Sequence, residues 1–363
     1  MARWMVVVAA ALCVSCGDGA AQNGDGGAGG GDGGPLGRDG SADGSSGNGG
    51  DGGGGGGAGV FPSSSIFYQD ISAAAVDSES PTVMAALQAS TWGDGSRNKL
   101  GIDSSFSILH ADASVVRRTY TQPADAMPDC DFAPIPVPAG GHSEGNTDYA
   151  CAGGGDCHLI VYQGDRLYEL YQADISGGMS TGGTFLGTCL VIWDLTHDYW
   201  QPVAPPNYSR GDGCNGADAG DVPMAPLILR PDEVMAGEVK HAMRFTILNN
   251  RIRANVYVHP ATHIGGPTGG STTLPYGARL RLKNGTDLSK LSAPAKVVAT
   301  ALQKYGMFLA DGGNIYISAT DDIANAIDTS ALSSLQPQDF EMVDGGPRLV
   351  WKDYNCAHVP ITN

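Results

Sequence analysis

Two runs rich in β-forming residues, HLIVYQ (158–163) and RLYELYQA (166–173), flank the turn-forming pair Gly164-Asp165, and this pattern predicts a β-hairpin. Shorter runs predict strands over Ser105–Leu109, Ser114–Tyr120, Thr188–Leu195, Val239–Leu248, Arg253–His259, Ala278–Lys283, Met307–Ala310 and Asn314–Ala319, with Ala133–Pro138 extended. Helical signals are few. Ser80 is placed to cap a helix with Pro81 at its first position, ending near Trp92-Gly93, and Ser292 caps another that begins at Ala293-Pro294 and stops at Gly306. A weaker helical pattern covers Ile323–Leu335. Many strands joined by Gly/Pro loops predict a mainly β domain, all-β or α+β, arranged as an antiparallel β-sandwich or jelly roll with one or two short helices.

The chain begins differently. Arg3 precedes an apolar stretch, Trp4 to Leu12, too short to span a bilayer, and then Cys13-Val14-Ser15-Cys16. These residues read as an export signal over 1–16. The end of the stretch resembles the lipobox of bacterial lipoproteins, in which the cysteine after a small residue is lipidated and becomes the new N-terminus. That resemblance implies lipidation at Cys16 and an anchor in the cell envelope, on the outer membrane. It departs from the usual pattern at Cys13, where leucine is common. From 17 to 59 more than half the residues are glycine, with no aromatic and no apolar period. This predicts a disordered tether with an end-to-end distance of roughly 35 Å. Residues 60–363 then form one globular domain.

Charge narrows the function. Taking Arg3, Arg38 and the six aspartates of the tether out of the chain's net charge of −17 leaves the body at −13. An acidic body with no Lys/Arg run excludes nucleic-acid binding and points away from anionic surfaces. Six cysteines remain in the body, Cys130, Cys151, Cys157, Cys189, Cys214 and Cys356. In an exported chain an even count predicts disulfides, and Cys151 and Cys157 bracket a tight loop suited to a local pair. Zinc is the rival reading, but no cysteine pair has CxxC spacing, so no metal and no cofactor is expected.

The candidate chemistry lies in scattered ionisable residues. Asp218, Glu233 and His241 come from a carboxylate-rich stretch, 215–241, that leads into a strand carrying Arg244. Alternation puts His241 on one face with Met243 and Phe245, which also suits a hydrogen-bonded core histidine. Glu169 shares a hairpin face with Leu167 and Tyr171, so its carboxyl needs a raised pKa or a cationic partner. Arg279, Arg281 and Lys283 alternate with apolar residues as a basic stripe, read either as a solvated face or as a partner for the carboxylates or for a uronate. His259 and His263 in HPATH have i,i+4 spacing, but Pro260 argues against the helix that would align them. Two GxSxG strings, 141–145 and 178–182, lack the strand and helix that a nucleophile elbow needs.

Several stretches together, DCHLIVYQGDRLYELYQA, CLVIWDLT, ADAGDVPMAPLILRPDEVMAGEVKHAMRFTI, YVHPATH, YGARLRLK and ALQKYGMFLADGGNIYIS, resemble a family of secreted proteins from myxobacteria and actinobacteria. The resemblance spans about residues 65–343 and implies an extracellular, cell-wall or glycan-facing setting without assigning any catalytic residue. The resulting expectation is a membrane-anchored lipoprotein with a glycan-active site. As a hydrolase it would use two of Glu169, Asp218 and Glu233. As a lyase it would use Arg244, Arg279 or Arg281 on a uronate with His241, His263 or Tyr257 as base. Trp92, Trp193 and Trp200 are offered for sugar stacking. The alternative is a non-catalytic surface lipoprotein that binds polysaccharide or a protein partner.

Overall fold

The computed structural model describes residues 61–95, 98–122, 129–151, 155–175, 185–199, 210–352, 356 and 361, all within the unit that spans 57–363. It is mostly β. Ten strands build two principal sheets: β1 (Gly101–Phe106), β2 (Ile108–His110), β3 (His158–Gln163), β4 (Arg166–Tyr171), β5 (Cys189–Asp194), β6 (Met243–Ile247), β7 (Arg279–Leu282), β8 (Met307–Gly312), β9 (Tyr316–Thr320) and β10 (Phe340–Val343). The predicted hairpin is β3–β4, paired from His158↔Tyr171 to Gln163↔Arg166, with Gly164 at φ 61° making the turn.

The four-stranded sheet runs β2-β3-β4-β5 and the six-stranded sheet β1-β9-β6-β8-β7-β10. Both are mixed rather than antiparallel as expected: β1 pairs β9 in parallel, β6 pairs β8 in parallel and β2 pairs β3 in parallel. One cause is local. The run read as a single strand over 105–109 breaks at Ser107, so β1 joins the larger sheet and β2 the smaller.

β3 shows why its sequence is continuously apolar. Ile160 and Tyr162 join the large core with Phe106, Leu167, Trp193, Phe245 and Phe308, while Leu159 and Val161 join a second core with Tyr120, Ile135, Tyr168 and Ile192. A strand buried on both faces needs no polar alternation. Helix α1 (Ser80–Ser90), the short α2 (Pro231–Ala236) and α3 (Ala293–Lys304) complete the framework. α3 is capped as expected, Ser292 Oγ accepting from Ala295 N at 3.4 Å. It stops before Gly306, at φ 70°, where a Cβ would lie 2.5 Å from the Leu280 carbonyl oxygen.

Three elements differ from expectation. The residue before α1 is Glu79, and the Ser80 hydroxyl instead accepts from Met342 N at 2.9 Å. Only Ile323–Asn325 forms a helical turn in 323–335, because Asp328 accepts from Ser330 N at 2.7 Å in a side-chain-closed turn. Asp112 acts likewise on Ser114, leaving only the two-residue strands Arg117–Arg118 and Tyr120–Thr121 of the strand expected over 114–120. The disulfides are Cys130–Cys189, the local pair Cys151–Cys157, and Cys214–Cys356. Among the described residues no helix is long and apolar enough to cross a membrane. Cys16, Trp200 and the string 178–182 lie outside the described residues.

Candidate functional site

Strand register aligns a polar row across the larger sheet. Asp103 on β1 is opposite Ser318 on β9, and the antiparallel pair Phe245↔Ile317 puts Arg244 on β6 opposite Ser318 in turn. Arg244 faces Phe308 on β8, and Phe308 faces Arg279 on β7. The Arg244 guanidinium is 3% exposed and donates from all three of its nitrogens. Nε and Nη2 donate to the two carboxylate oxygens of Asp218 at 3.0 and 2.8 Å, Nη2 also to Asp311 at 3.1 Å, and Nη1 to Ser318 Oγ at 2.8 Å. Its plane lies over the Phe106 ring, 5.5 Å from the centroid. Two carboxylates raise its pKa despite burial, so it is a permanent cation.

The smaller sheet supplies the second cation. The His158 ring, the first residue of β3, has Nδ1 2.5 Å from Glu144 and Nε2 2.9 Å from the Ala217 carbonyl oxygen, so both nitrogens donate. Burial works against the charged ring, but Glu144 outweighs it and lifts the pKa to about 10. The Glu144 carboxyl, which burial would raise, is held below its ordinary value by His158, Arg244 and the Ser105 hydroxyl, which donates at 3.0 Å. Asp103 and Asp311 go the other way. Burial raises Asp103 and Glu144 adds to the effect; burial and Asp218 raise Asp311 against the pull of Arg244. With exposed Asp156 acting on both, five carboxyls surround two cations between the sheets, and the half-buried Asp103 and Asp311 are the ones whose charged forms this crowding disfavours.

Only Asp218 and Arg244 of the seven residues expected to carry chemistry share hydrogen bonds in this cluster. Glu169 is 1% exposed and satisfied by Trp193 Nε1 at 2.9 Å and by the backbone N–H groups of Met224 and Ala225 at 2.8 and 2.9 Å. Burial still pushes it up to about 7, the raised pKa that its hairpin position predicts, with no cation bonded to it. It ties β4 to the helical turn Ala225–Leu227.

Glu233 and His241 pair with each other at 3.1 Å, and Arg230 closes the group at 2.7 Å from Glu233. Burial raises the Glu233 carboxyl, but the His241 and Arg230 contacts outweigh it and hold it down. Buried His241 is the hydrogen-bonded core histidine, its Nδ1 2.7 Å from the Ala242 carbonyl oxygen. His263 donates Nδ1–H to the Ala219 carbonyl at 2.9 Å, and burial lowers its pKa. The neighbouring His259 instead pairs with Asp212 at 2.7 Å, so the two histidines of HPATH serve different partners and make no joint ligand pair.

Of the basic stripe only Lys283 is exposed, and its two arginines are neither solvated nor paired with the expected carboxylates. Arg279 and Arg281 are 5% and 6% exposed. Arg279 donates to the carbonyls of Tyr305, just past the end of α3, at 2.8 Å and of Gln69 at 3.1 Å, and burial pushes its pKa down to about 9. Arg281 pairs with Glu341 at 2.6 Å and binds the carbonyls of Ile71 and Ala74. The reason is packing: β7 is covered on both faces, by the large core and by the 69–74 segment, so its alternation has no outer side. Trp92 and Trp193 are likewise core residues, at 0% and 1% exposure, and cannot stack on a sugar.

The residues missed in the sequence had weak signals. Glu144 lies inside the first GxSxG string, whose buried Ser143 closes a turn; Asp156 is within the Cys151–Cys157 loop; Asp103 and Asp311 stand at strand positions with no motif around them. Compared with family models, with curated proteins and with solved structures, the chain matches none.

Proposed function

We propose that the chain is an exported envelope lipoprotein, anchored through Cys16 and extended by its glycine-rich tether, whose body binds a neutral or amino-sugar glycan without cleaving it. One observation carries the reading: each of Glu169, Asp218, Glu233, His241, Arg244, His263 and Arg279 is at most 5% exposed and is hydrogen-bonded to the protein's own groups. Buried, satisfied groups act as scaffold, and a base or nucleophile must reach its substrate. The buried arginines, 3–6% exposed, present no fork to a uronate carboxylate, and a body of charge −13 repels polyanions. The lyase reading therefore loses its substrate-binding cation. The stacking of two mixed sheets around one large core is consistent with a sandwich-type scaffold.

The half-buried carboxyls between the sheets supply the contact surface, and they favour hydroxyls and ammonium groups over anions. The test is a binding assay of the full chain on immobilised neutral, amino-sugar and uronate polymers at two salt concentrations. Preferential retention on the first two, weakened by Asp103→Asn and Asp156→Asn, supports the proposal; preference for uronates sinks it. A hydrolase is the second reading, favoured because the pKa values of Asp311 and Glu144 are pushed in opposite directions, the separation that an acid and a base require. New reducing ends, lost in Asp311→Asn, would establish it.

A further inference from the structure

A second buried acidic centre lies behind β5. Asp129, Asp131 and Asp221 are 3%, 0% and 2% exposed, with one guanidinium, Arg210, among them. Arg210 donates to Asp131 at 3.2 Å and to the Asp129 carbonyl at 2.7 Å, and its Nε stands 3.9 Å from Asp221 Oδ1. Asp129 Oδ2 accepts from Asn215 N, whereas Asp129 Oδ1 is buried with no hydrogen-bond partner among the described residues. A carboxylate oxygen of Asp129 and the sulfurs of Cys214 and Cys356 all lie within 4.8 Å of one another.

We propose that Asp129, Cys214 and Cys356 form a redox-gated zinc site, closed while the two sulfurs are bonded and open when they are thiols. Zinc takes thiolate and carboxylate ligands in tetrahedral sets, and three protein ligands leave one position for water. Part of the set is already anchored. Asp129 is held at its backbone oxygen and at Oδ2, Cys214 Sγ already accepts an N–H from Gly211 at 3.1 Å, and the partly exposed Cys356 gives the entry side. A backbone N–H on a ligand sulfur is the kind of outer-sphere contact that stabilises a metal-bound thiolate. The surplus carboxylates draw a cation in, and the ion would satisfy the oxygen that the disulfide form leaves unpartnered.

A dithiol reductant opens the Cys214–Cys356 bond, becoming a disulfide itself and passing two hydrogens to the sulfurs; Zn²⁺ then displaces both thiol protons. The site is independent of the glycan proposal. It borders the polar row, because residues 214–221 carry Cys214, the Ala217 carbonyl that holds His158 and the Asp218 that holds Arg244.

The test loads the full chain with Zn²⁺ or Co²⁺, oxidised and after dithiol reduction and removal of the reductant, and follows metal stoichiometry and thiolate-to-cobalt absorption. One equivalent bound only after reduction, with affinity reduced on the order of tenfold or more in Asp129→Asn, supports the site. The Cys214→Ala/Cys356→Ala protein, checked for folding by circular dichroism, should bind none, and Cys151→Ala/Cys157→Ala should bind like the parent. No uptake by the reduced chain, or uptake unchanged by Asp129→Asn, overturns the proposal.

Discussion

Arg244 and Arg279 sit in the same row of one sheet, on either side of Phe308, yet they live in opposite electrostatic settings. Arg244 is bracketed by Asp218 and Asp311, and their charges raise its pKa. Arg279 hydrogen-bonds backbone carbonyls and lies over the face of Phe308, 4.7 Å from its guanidinium carbon, and burial depresses it to about 9 against the weaker pull of Asp70. The first arginine neutralises a charged cluster between two sheets. The second pins the end of α3 and the 69–71 segment to the sheet. Residue type and strand alternation are the same in both places, and what the neighbouring loops bring decides the role.

The largest expected effect tests the first half of that contrast. Arg244→Met should cost about 3–5 kcal/mol, because it leaves Asp218 buried without its cation, and urea denaturation measures the loss. Arg279→Met should cost less, about 1–3 kcal/mol, since it strands carbonyls rather than charges. Equal losses in the two proteins would break the comparison.

A pH titration of stability sharpens it. Burial raises Asp221 to about 7 against a carboxylate's ordinary 3.8, so the folded state holds a proton that the unfolded chain has released between those values. Its stabilising contribution is therefore complete below about pH 4 and lost as pH rises through about 7, with a slope of at most about 1.4 kcal/mol per pH unit for one group. Asp221→Asn should flatten that part of the curve, and an unchanged slope would show that the proton resides elsewhere. The smallest effect belongs to exposed Asp156. Asp156→Asn should change stability by no more than about 0.5 kcal/mol while weakening any ligand held between the sheets, as thermal melts and binding isotherms would report.

The sequence was most readable where local signals and packing agree. The Gly164-Asp165 turn, the hairpin it closes and the Ser292 cap follow from residues within a few positions of one another. Parallel pairing of β1 with β9 was not readable, because it depends on a break at Ser107 and on partners more than 200 residues away. The polar row was half readable. Asp218 and Arg244 stood out as charges near apolar strands, and Glu169 as a carboxyl in a hairpin core. Glu144 and His158 did not, because each looks ordinary until the 141–148 turn is folded against β3. The basic stripe misled for a complementary reason: alternation announces two faces, but does not say that both are covered.

Whether the buried ionisable groups are scaffold or machinery decides between binding and cleavage. The most direct measurement incubates the full chain with neutral, amino-sugar and uronate polysaccharides and follows reducing ends and unsaturated uronates together. Scaffold groups should give saturable binding to neutral or amino-sugar polymers with no new ends of either kind. Cleavage that disappears in Asp218→Asn or His241→Ala, with folding intact by circular dichroism, would contradict it.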